Sequence, residues 1–400
     1  MGGPDLSSLL QPADSKIVLV VLDGLGGYAA ADRGTELEEA ATPNLDRLAA
    51  EGATGLLEPV GPGITPGSGP AHLALFGYDP VEYQRGRGAL SAAGLEGELK
   101  PGDVAARGNL ATLDEEGRVV DRRAGRIPDD EAGEVVRLLA ERVDIDGVDV
   151  TFVHEASHRV LVVLRGGGLD ADVADTDPQK TGVPPLDPVA RRTEAERTAE
   201  VVGELDRQIR AALSGQPKAN VLLLRGFDSH QELPSMSDRY LLKAAAAAIY
   251  PMYRGVARLV GMEVLGRPKD LPAQVGLVAD GWSTYDYFFF HHKPTDAAGE
   301  DGNFAAKVAA VEALDAAIPE LAALEPDVLM VTGDHATPSQ LAAHSWHAVP
   351  LLAWGPRVGR DPVTRFGEGP CLGGALGRRP STDLMPLALA AAGRLAKFGA

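Results

Sequence analysis

Apolar residues in this chain gather in short unbroken runs, each stopped by glycine, proline or a charge. The runs at 16–22 (KIVLVVL), 220–224, 284–290 and 328–331 predict strands buried on both faces. Between them the apolar spacing becomes helical. Leu45, Leu48 and Ala49 make one stripe, with Thr42 and Pro43 at its start and Gly52 at its end. Helices are likewise predicted over 131–143, 191–213, 240–250 and 303–316. Strand, helix and strand in succession between 284 and 331 make a βαβ unit. The pattern predicts an α/β fold with a central, mostly parallel sheet flanked by helices.

From about 86 to 214 the pattern breaks. GRGAL and DVAARGNLATLDEEGRVVDRRAGRI alternate strand-like pieces with turns. Residues 148–153 and 159–164 read as strands, and 166–188 as a long loop rich in Pro and Gly. An α+β domain inserted at 93–215 into a core made of 1–92 and 216–400 is the expectation.

Composition narrows the function classes. The net charge of −19 argues against a general nucleic-acid surface. A single cysteine, Cys371, forms no internal disulfide and fits a reducing, cytoplasmic setting. The alanine run 244–248 lies between Lys243 and Arg254, too short a gap for a membrane span. The N-terminal stretch lacks a basic start followed by a long apolar core, so neither a secretory signal nor a membrane partner is expected.

Candidate chemistry sits where the strand runs end. Asp23 follows the first run and leads into Gly24, Gly26 and Gly27. Asp334 and His335 follow the last run, with His344 nine residues beyond His335. Asp296 and Glu300, four apart after the 284–290 run, share one helical face. Open α/β sheets place ligand chemistry at such carboxyl ends. Oxygen and nitrogen donors without thiolate suit Mn²⁺, Mg²⁺ or Zn²⁺, and there are enough of them for two ions. Ser68 lies in a glycine-rich turn near a helix start, where a hydroxyl is exposed and backbone N–H groups face an anion. The plainer readings are that Asp23 opens a turn, Ser68 is a loop serine, and Asp334 caps a helix while His335 and His344 are ordinary surface histidines. Arg107, Arg122, Arg123, Arg126, Arg159 and Arg165 cluster in the insertion. Guanidinium forks suit phosphate and carboxylate; surface salt bridges are the alternative.

In order along the chain, VVLDG, TPNLD, GSGPAHLALFGYDP, TDAAGEDG, TGDH and AHSWHAVPLL resemble the archaeal-type 2,3-bisphosphoglycerate-independent phosphoglycerate mutases of the alkaline phosphatase superfamily. The resemblance runs from Lys16 to the STDLMPLAL tail. It implies an alkaline-phosphatase-like core and a substrate-binding cap at the insertion. Ser68 matches the serine that becomes phosphorylated, and Lys243 a lysine near the transferring phosphoryl group. Asp23, Ser68, Asp334 and His335 match the ligands of one metal, and Asp296 and His344 two ligands of the other. Glu300 stands where the family's AGHDG motif has histidine, a change that favours Mn²⁺ or Mg²⁺ over Zn²⁺. Arg107, Asp121, Arg122, Arg123, Arg126, His158, Arg159 and Arg225 are the expected substrate-binding set, with Asp121 or His158 moving protons. The implied enzyme is an isomerase of glycolysis and gluconeogenesis. It would interconvert 3- and 2-phosphoglycerate, held between core and cap, through phosphoserine with two divalent ions, Mn²⁺ foremost and Co²⁺ also suitable. A homo-oligomer is compatible with it. The alternatives are another metal-dependent phosphatase or phosphomutase of the superfamily, or a non-catalytic binding protein.

Overall fold

The computed structural model describes residues 6–83, 88, 89, 92, 99–229 and 233–399. Thirteen strands are described: β1 (Ile17–Leu22), β2 (Ala53–Glu58), β3 (Val104–Leu113), β4 (Val119–Asp121), β5 (Asp149–Ala156), β6 (Arg159–Arg165), β7 (Val221–Ser229), β8 (Ala244–Ala248), β9 (Glu263–Val264), β10 (Tyr287–His292), β11 (Val328–Thr332), β12 (Val349–Trp354) and β13 (Gly377–Pro380). The chain divides into two compact units, Met1–Gln84 with Leu233–Ala400, and Arg85–Glu232.

The first unit is built on an eight-stranded sheet in the order β13-β2-β12-β11-β1-β10-β8-β9. Five neighbouring pairs are parallel; β12 alone runs antiparallel to both its neighbours. The expected α/β core is therefore present. β1 sits at the centre, and all six of its residues are buried, as an unbroken apolar run requires when both faces are covered. It pairs with β10 and β11 in a register that aligns Leu22 with His292 and Val21 with Thr332. Three parallel strands thus end at one level. The helix Pro43–Glu51 turns Leu45, Leu48 and Ala49 inward and stops at Gly52, as its stripe predicts.

Two expectations fail here. The helix expected at 240–250 is absent: Tyr240 ends a short helix begun at Met236, and Ala244–Ala248 is β8, parallel to β10. Alanine is the best helix former, but tertiary context overrides that preference. Ala245 and Ala247 share one core cluster with Phe288 and Phe290 of β10 and Val275 and Val278 of the helix Leu271–Gly281. Side chains this small leave room for the neighbouring phenylalanines. The strand expected at 284–290 lies instead at Tyr287–His292, so His291 and His292 belong to β10 itself.

The second unit is α+β, as expected of the insertion, but it is longer than 93–215. β7 falls in the stretch 216–400 expected of the core. It pairs antiparallel with β3 from Ala111↔Val221 to Val104↔Ser229, completing a five-stranded sheet with β4, β5 and β6. Two helices, Asp129–Arg142 and Glu196–Ala212, bury Val135, Leu139, Val202, Leu205 and Ile209 in a core of this unit's own. The strand-like piece expected at GRGAL falls outside the described residues except at 88 and 89. No described helix is long and apolar enough to cross a membrane.

Candidate active site

Asp23 follows β1 directly, and its amide donates to His292 O at 2.9 Å. The turn at Gly24 has φ +64°, a left-handed conformation that glycine adopts without cost. The Gly24 N–H then donates to Asp334 Oδ1 at 3.0 Å, tying the β1 loop to the β11 loop. Gly333 lets those loops pass closely: a Cβ there would meet Leu25 Cβ at 2.8 Å. β12 starts where β11 ends and runs back, so the 333–348 connection stays at this edge and delivers His344. The helix Pro294–Glu300 follows β10 and carries Asp296 and Glu300, and Ser68 is the first residue of the helix Ser68–Leu75.

These residues converge. His335 Nε2 lies 3.2 Å from Ser68 Oγ, 3.3 Å from Asp23 Oδ1 and 3.2 Å from Asp334 Oδ2. His344 Nε2 lies 3.5 Å from Asp296 Oδ1 and 3.8 Å from Glu300 Oε1, and its ring stacks on His335 with centroids 3.7 Å apart. Asp23, Asp296, Asp334 and His335 are fully buried, whereas Glu300 is half-exposed. His344 Nδ1 faces Pro66 O at 2.9 Å, which leaves Nε2 free toward the acids.

Asp23 with Asp334 and His335, and Asp296 with His335 and His344, form two groups that could each hold a metal ion. The donor set fits such an ion. Asp23 Oδ1 and Asp334 Oδ2 are buried without a hydrogen-bond partner, a costly arrangement unless something positive sits there. The donors are carboxylate oxygen and imidazole nitrogen, as hard divalent ions require. Because His335 turns Nδ1 to Thr337 at 3.0 Å, its Nε2 belongs with Asp23, Asp334 and Ser68. Asp296 and His344 then remain for the second group, with Glu300 3.8 Å from His344.

The charges support this arrangement. Burial alone would raise the pKa of Asp23, but Lys293, His291 and His335 beside it hold it well below the usual carboxylate range. Against its own burial, His335 is raised to about 9 by Asp334, Asp23 and Asp296. So close a group of acids draws positive charge to its centre. His291 is pushed down to about 4 by burial, so it stays neutral and donates from Nε2 to Asp23 Oδ2 at 3.2 Å.

The structure removes Lys243 from this site. It precedes β8 at the amino end of the sheet, where its amide donates to Asp286 Oδ2 and its ammonium lies over Tyr285. That is a strand length, roughly 20 Å, from Asp23. The lysine at the site is Lys293, whose Nζ lies 3.2 Å from Asp23 Oδ2 and also contacts Asp296 Oδ2. Its place three residues before Asp296, on one face of a turn, is the signal that could have found it. Thr337, Tyr253 and His72 were also missed as site residues. Tyr253 stacks on His291 at 3.6 Å, and His72 Nδ1 lies 3.2 Å from Asp334 Oδ2.

The expected substrate set divides within the second unit. Burial, and then the charges of Arg159, Arg123, Arg107 and Arg225, push the pKa of His158 down to about 4, while Arg107 also lies 3.6 Å from Glu155. Arg122 is held in a two-pronged pair with Asp177 at 3.0 and 2.7 Å, and Arg165 likewise with Asp103. Asp121 accepts the N–H groups of Arg123 and Gly125, so its carboxylate holds a turn. Arg126 closes that turn with φ +55°.

Comparison with known proteins places these features. A family model described as 2,3-bisphosphoglycerate-independent phosphoglycerate mutase matches residues 49–219. The chain is 54% identical to a probable 2,3-bisphosphoglycerate-independent phosphoglycerate mutase of Thermus thermophilus, over 99% of either chain. It is 49% identical to one of Deinococcus radiodurans, over 98% of either. A solved structure from Pyrococcus horikoshii matches with a TM-score of 0.82 at 30% identity, covering 96% of this chain and 99% of that one. The cofactor-independent phosphoglycerate mutase of Thermoplasma acidophilum matches with a TM-score of 0.67 at 28% identity, covering 94% and 100%. Identity of this extent over whole chains, on a core whose strand ends gather the expected serine, acids and histidines, makes the chain a member of the 2,3-bisphosphoglycerate-independent phosphoglycerate mutase family of isomerases.

Proposed function

We propose that the protein interconverts 3-phosphoglycerate and 2-phosphoglycerate without bisphosphoglycerate, through a phosphoserine at Ser68. The observation that carries this reading is the 3.2 Å approach of Ser68 Oγ to His335 Nε2, itself in contact with Asp23 and Asp334. Asp23, Asp334, His335 and Ser68 would hold one divalent ion, and Asp296, His344 and Glu300 a second, with Mn²⁺ as the first choice. When bound, such ions lower the pKa of the serine hydroxyl and offset charge on the phosphoryl oxygens.

The chain's own groups do the rest. Ser68 Oγ attacks phosphorus, the bond to the glycerate oxygen breaks, and that oxygen takes up a proton. The other glycerate hydroxyl then loses its proton and attacks phosphoserine, which restores Ser68. Lys293, not Lys243, supplies the fixed positive charge beside the transferring group. Arg107, Arg123, Arg159 and Arg225 bind the carboxylate and phosphate of the substrate. His158, neutral among them, is the group assigned to move the glycerate protons. An anion held by those arginines offsets the charge that depresses His158 and moves its pKa up.

Acid quenching of Mn²⁺-loaded protein mixed with phosphate-labelled 3-phosphoglycerate should yield a labelled peptide containing Ser68, with 2-phosphoglycerate rather than free phosphate as product. Ser68→Ala should abolish both label and turnover. A Ser68→Ala protein with normal turnover refutes the scheme, and free phosphate as main product favours a phosphatase.

A further inference from the structure

One buried side chain touches both metal-binding groups without belonging to either. The Thr337 hydroxyl donates to Asp296 Oδ1 at 2.6 Å and lies 3.0 Å from His335 Nδ1. An ionised carboxylate only accepts, so the hydroxyl proton points at Asp296 and the oxygen is left to accept from His335. His335 therefore keeps a proton on Nδ1 and turns Nε2 toward Asp23, Asp334 and Ser68.

The threonine is itself held on both sides of its backbone. Its N–H is shared between Gly24 O at 3.2 Å and Gly26 O at 3.1 Å, in the loop that carries Asp23. Its carbonyl accepts from the buried Lys307 ammonium at 2.9 Å, which also donates to Gly26 O at 3.0 Å. A Cβ on Gly24 would lie 2.5 Å from Thr337 Oγ1, so the loop packs directly onto this hydroxyl. The hydroxyl has almost no freedom to turn elsewhere.

We propose that Thr337 is a positioning residue that couples the two metal sites, setting the His335 tautomer in one and the Asp296 orientation in the other through a single hydroxyl. The inference rests on the two-metal reading above. A partner that fixes a ligand's orientation is commonly worth 10–100-fold in metal affinity, roughly. Here loss of one hydroxyl releases two ligands at once, so both sites weaken together.

Calorimetric titration with Mn²⁺ of the wild type, Thr337→Val and Thr337→Ser tests this. Valine keeps the shape and removes the hydroxyl; serine keeps the hydroxyl. The wild type should bind two ions. Thr337→Val should weaken both by about 10–100-fold, and Thr337→Ser should recover most of the loss. Unchanged affinities in Thr337→Val, or weakening at one site only, overturn the proposal. A wild type that binds no Mn²⁺ overturns the two-metal reading and this inference with it. Nitrogen NMR of the Mg²⁺-loaded wild type gives a test that needs no folded variant: His335 should be protonated at Nδ1, and protonation at Nε2 instead refutes the proposal.

Discussion

Replacing Gly24 by alanine should damage the active site although no ligand is itself replaced. Gly24 has φ +64°, and an L-residue held there costs about 1–2 kcal/mol. The added Cβ would lie 2.5 Å from Thr337 Oγ1, 2.8 Å from Asp296 Oδ1 and 2.9 Å from Asp296 Cβ. None of these atoms gives way easily, because Thr337 is pinned by Gly26 and Lys307, and Asp296 by Thr337 and Lys293. Overpacking of this kind costs about 1–3 kcal/mol. Alanine recovers about 0.4–1 kcal/mol by stiffening the unfolded chain, so the net loss is about 2–4 kcal/mol. Gly63 is the control: φ is +75° and a Cβ there meets nothing within 4 Å, so Gly63→Ala bears only the backbone part. Urea unfolding followed by tryptophan fluorescence reads the right unit, since Trp282, Trp346 and Trp354 all lie in it. Gly24→Ala should unfold at lower urea than Gly63→Ala, and its Mn²⁺ affinity should fall while that of Gly63→Ala does not. Equal midpoints with equal Mn²⁺ affinities would refute the claim that this turn is packed against the metal ligands.

Two further outcomes follow from the charges. Lys293→Met should cut kcat by about 10²–10³, the usual cost of removing one group that stabilises developing charge, whereas Lys243→Met should leave kcat unchanged; the reverse result in a mutase assay would return the role to Lys243. His158 has a folded-state pKa of about 4 against an ordinary value of 6.5, so between those values the unfolded chain binds a proton that the folded one does not. Stability of the second unit should therefore fall as pH drops from about 6.5 to about 4, and be unaffected by this group above that window. In histidine NMR the His158 midpoint should lie near 4 and rise in Arg123→Ala, which removes one of the repelling charges; a midpoint near 6.5 in the wild type would show that the arginines do not surround it.

What the sequence disclosed, and what it hid, follows the kind of force involved. β1 and β11 were legible because strands covered on both faces must be apolar throughout. The acids and histidines at their ends were legible because several strand runs in one chain each end in a group able to bind a hard metal ion, Asp23 after the first and Asp334 with His335 after the last. β8 was not legible, since five alanines carry no strand signal and their neighbours come from segments far along the chain. The arginines show the same limit. Arg122 and Arg123 are adjacent, yet Arg122 is taken by Asp177 and Arg123 is left beside His158. Nothing local distinguishes them, because an acid 55 positions away makes the choice.

The active site divides along that line. The ligands proposed for it are residue types whose chemistry announces them, and most of them closely follow a strand. Lys293, Lys307 and Thr337 are types found everywhere, and only the three-dimensional contacts give them work. Yet these residues decide whether the ligands form one centre. Asp23, Asp296 and His335 come from three segments far apart in the sequence. Lys293 spans the first two and Thr337 the last two, while Lys307 clamps the backbone beneath. A chain with every ligand in place but a different residue at 337 would read the same by motif, and by this geometry it would bind metal less tightly.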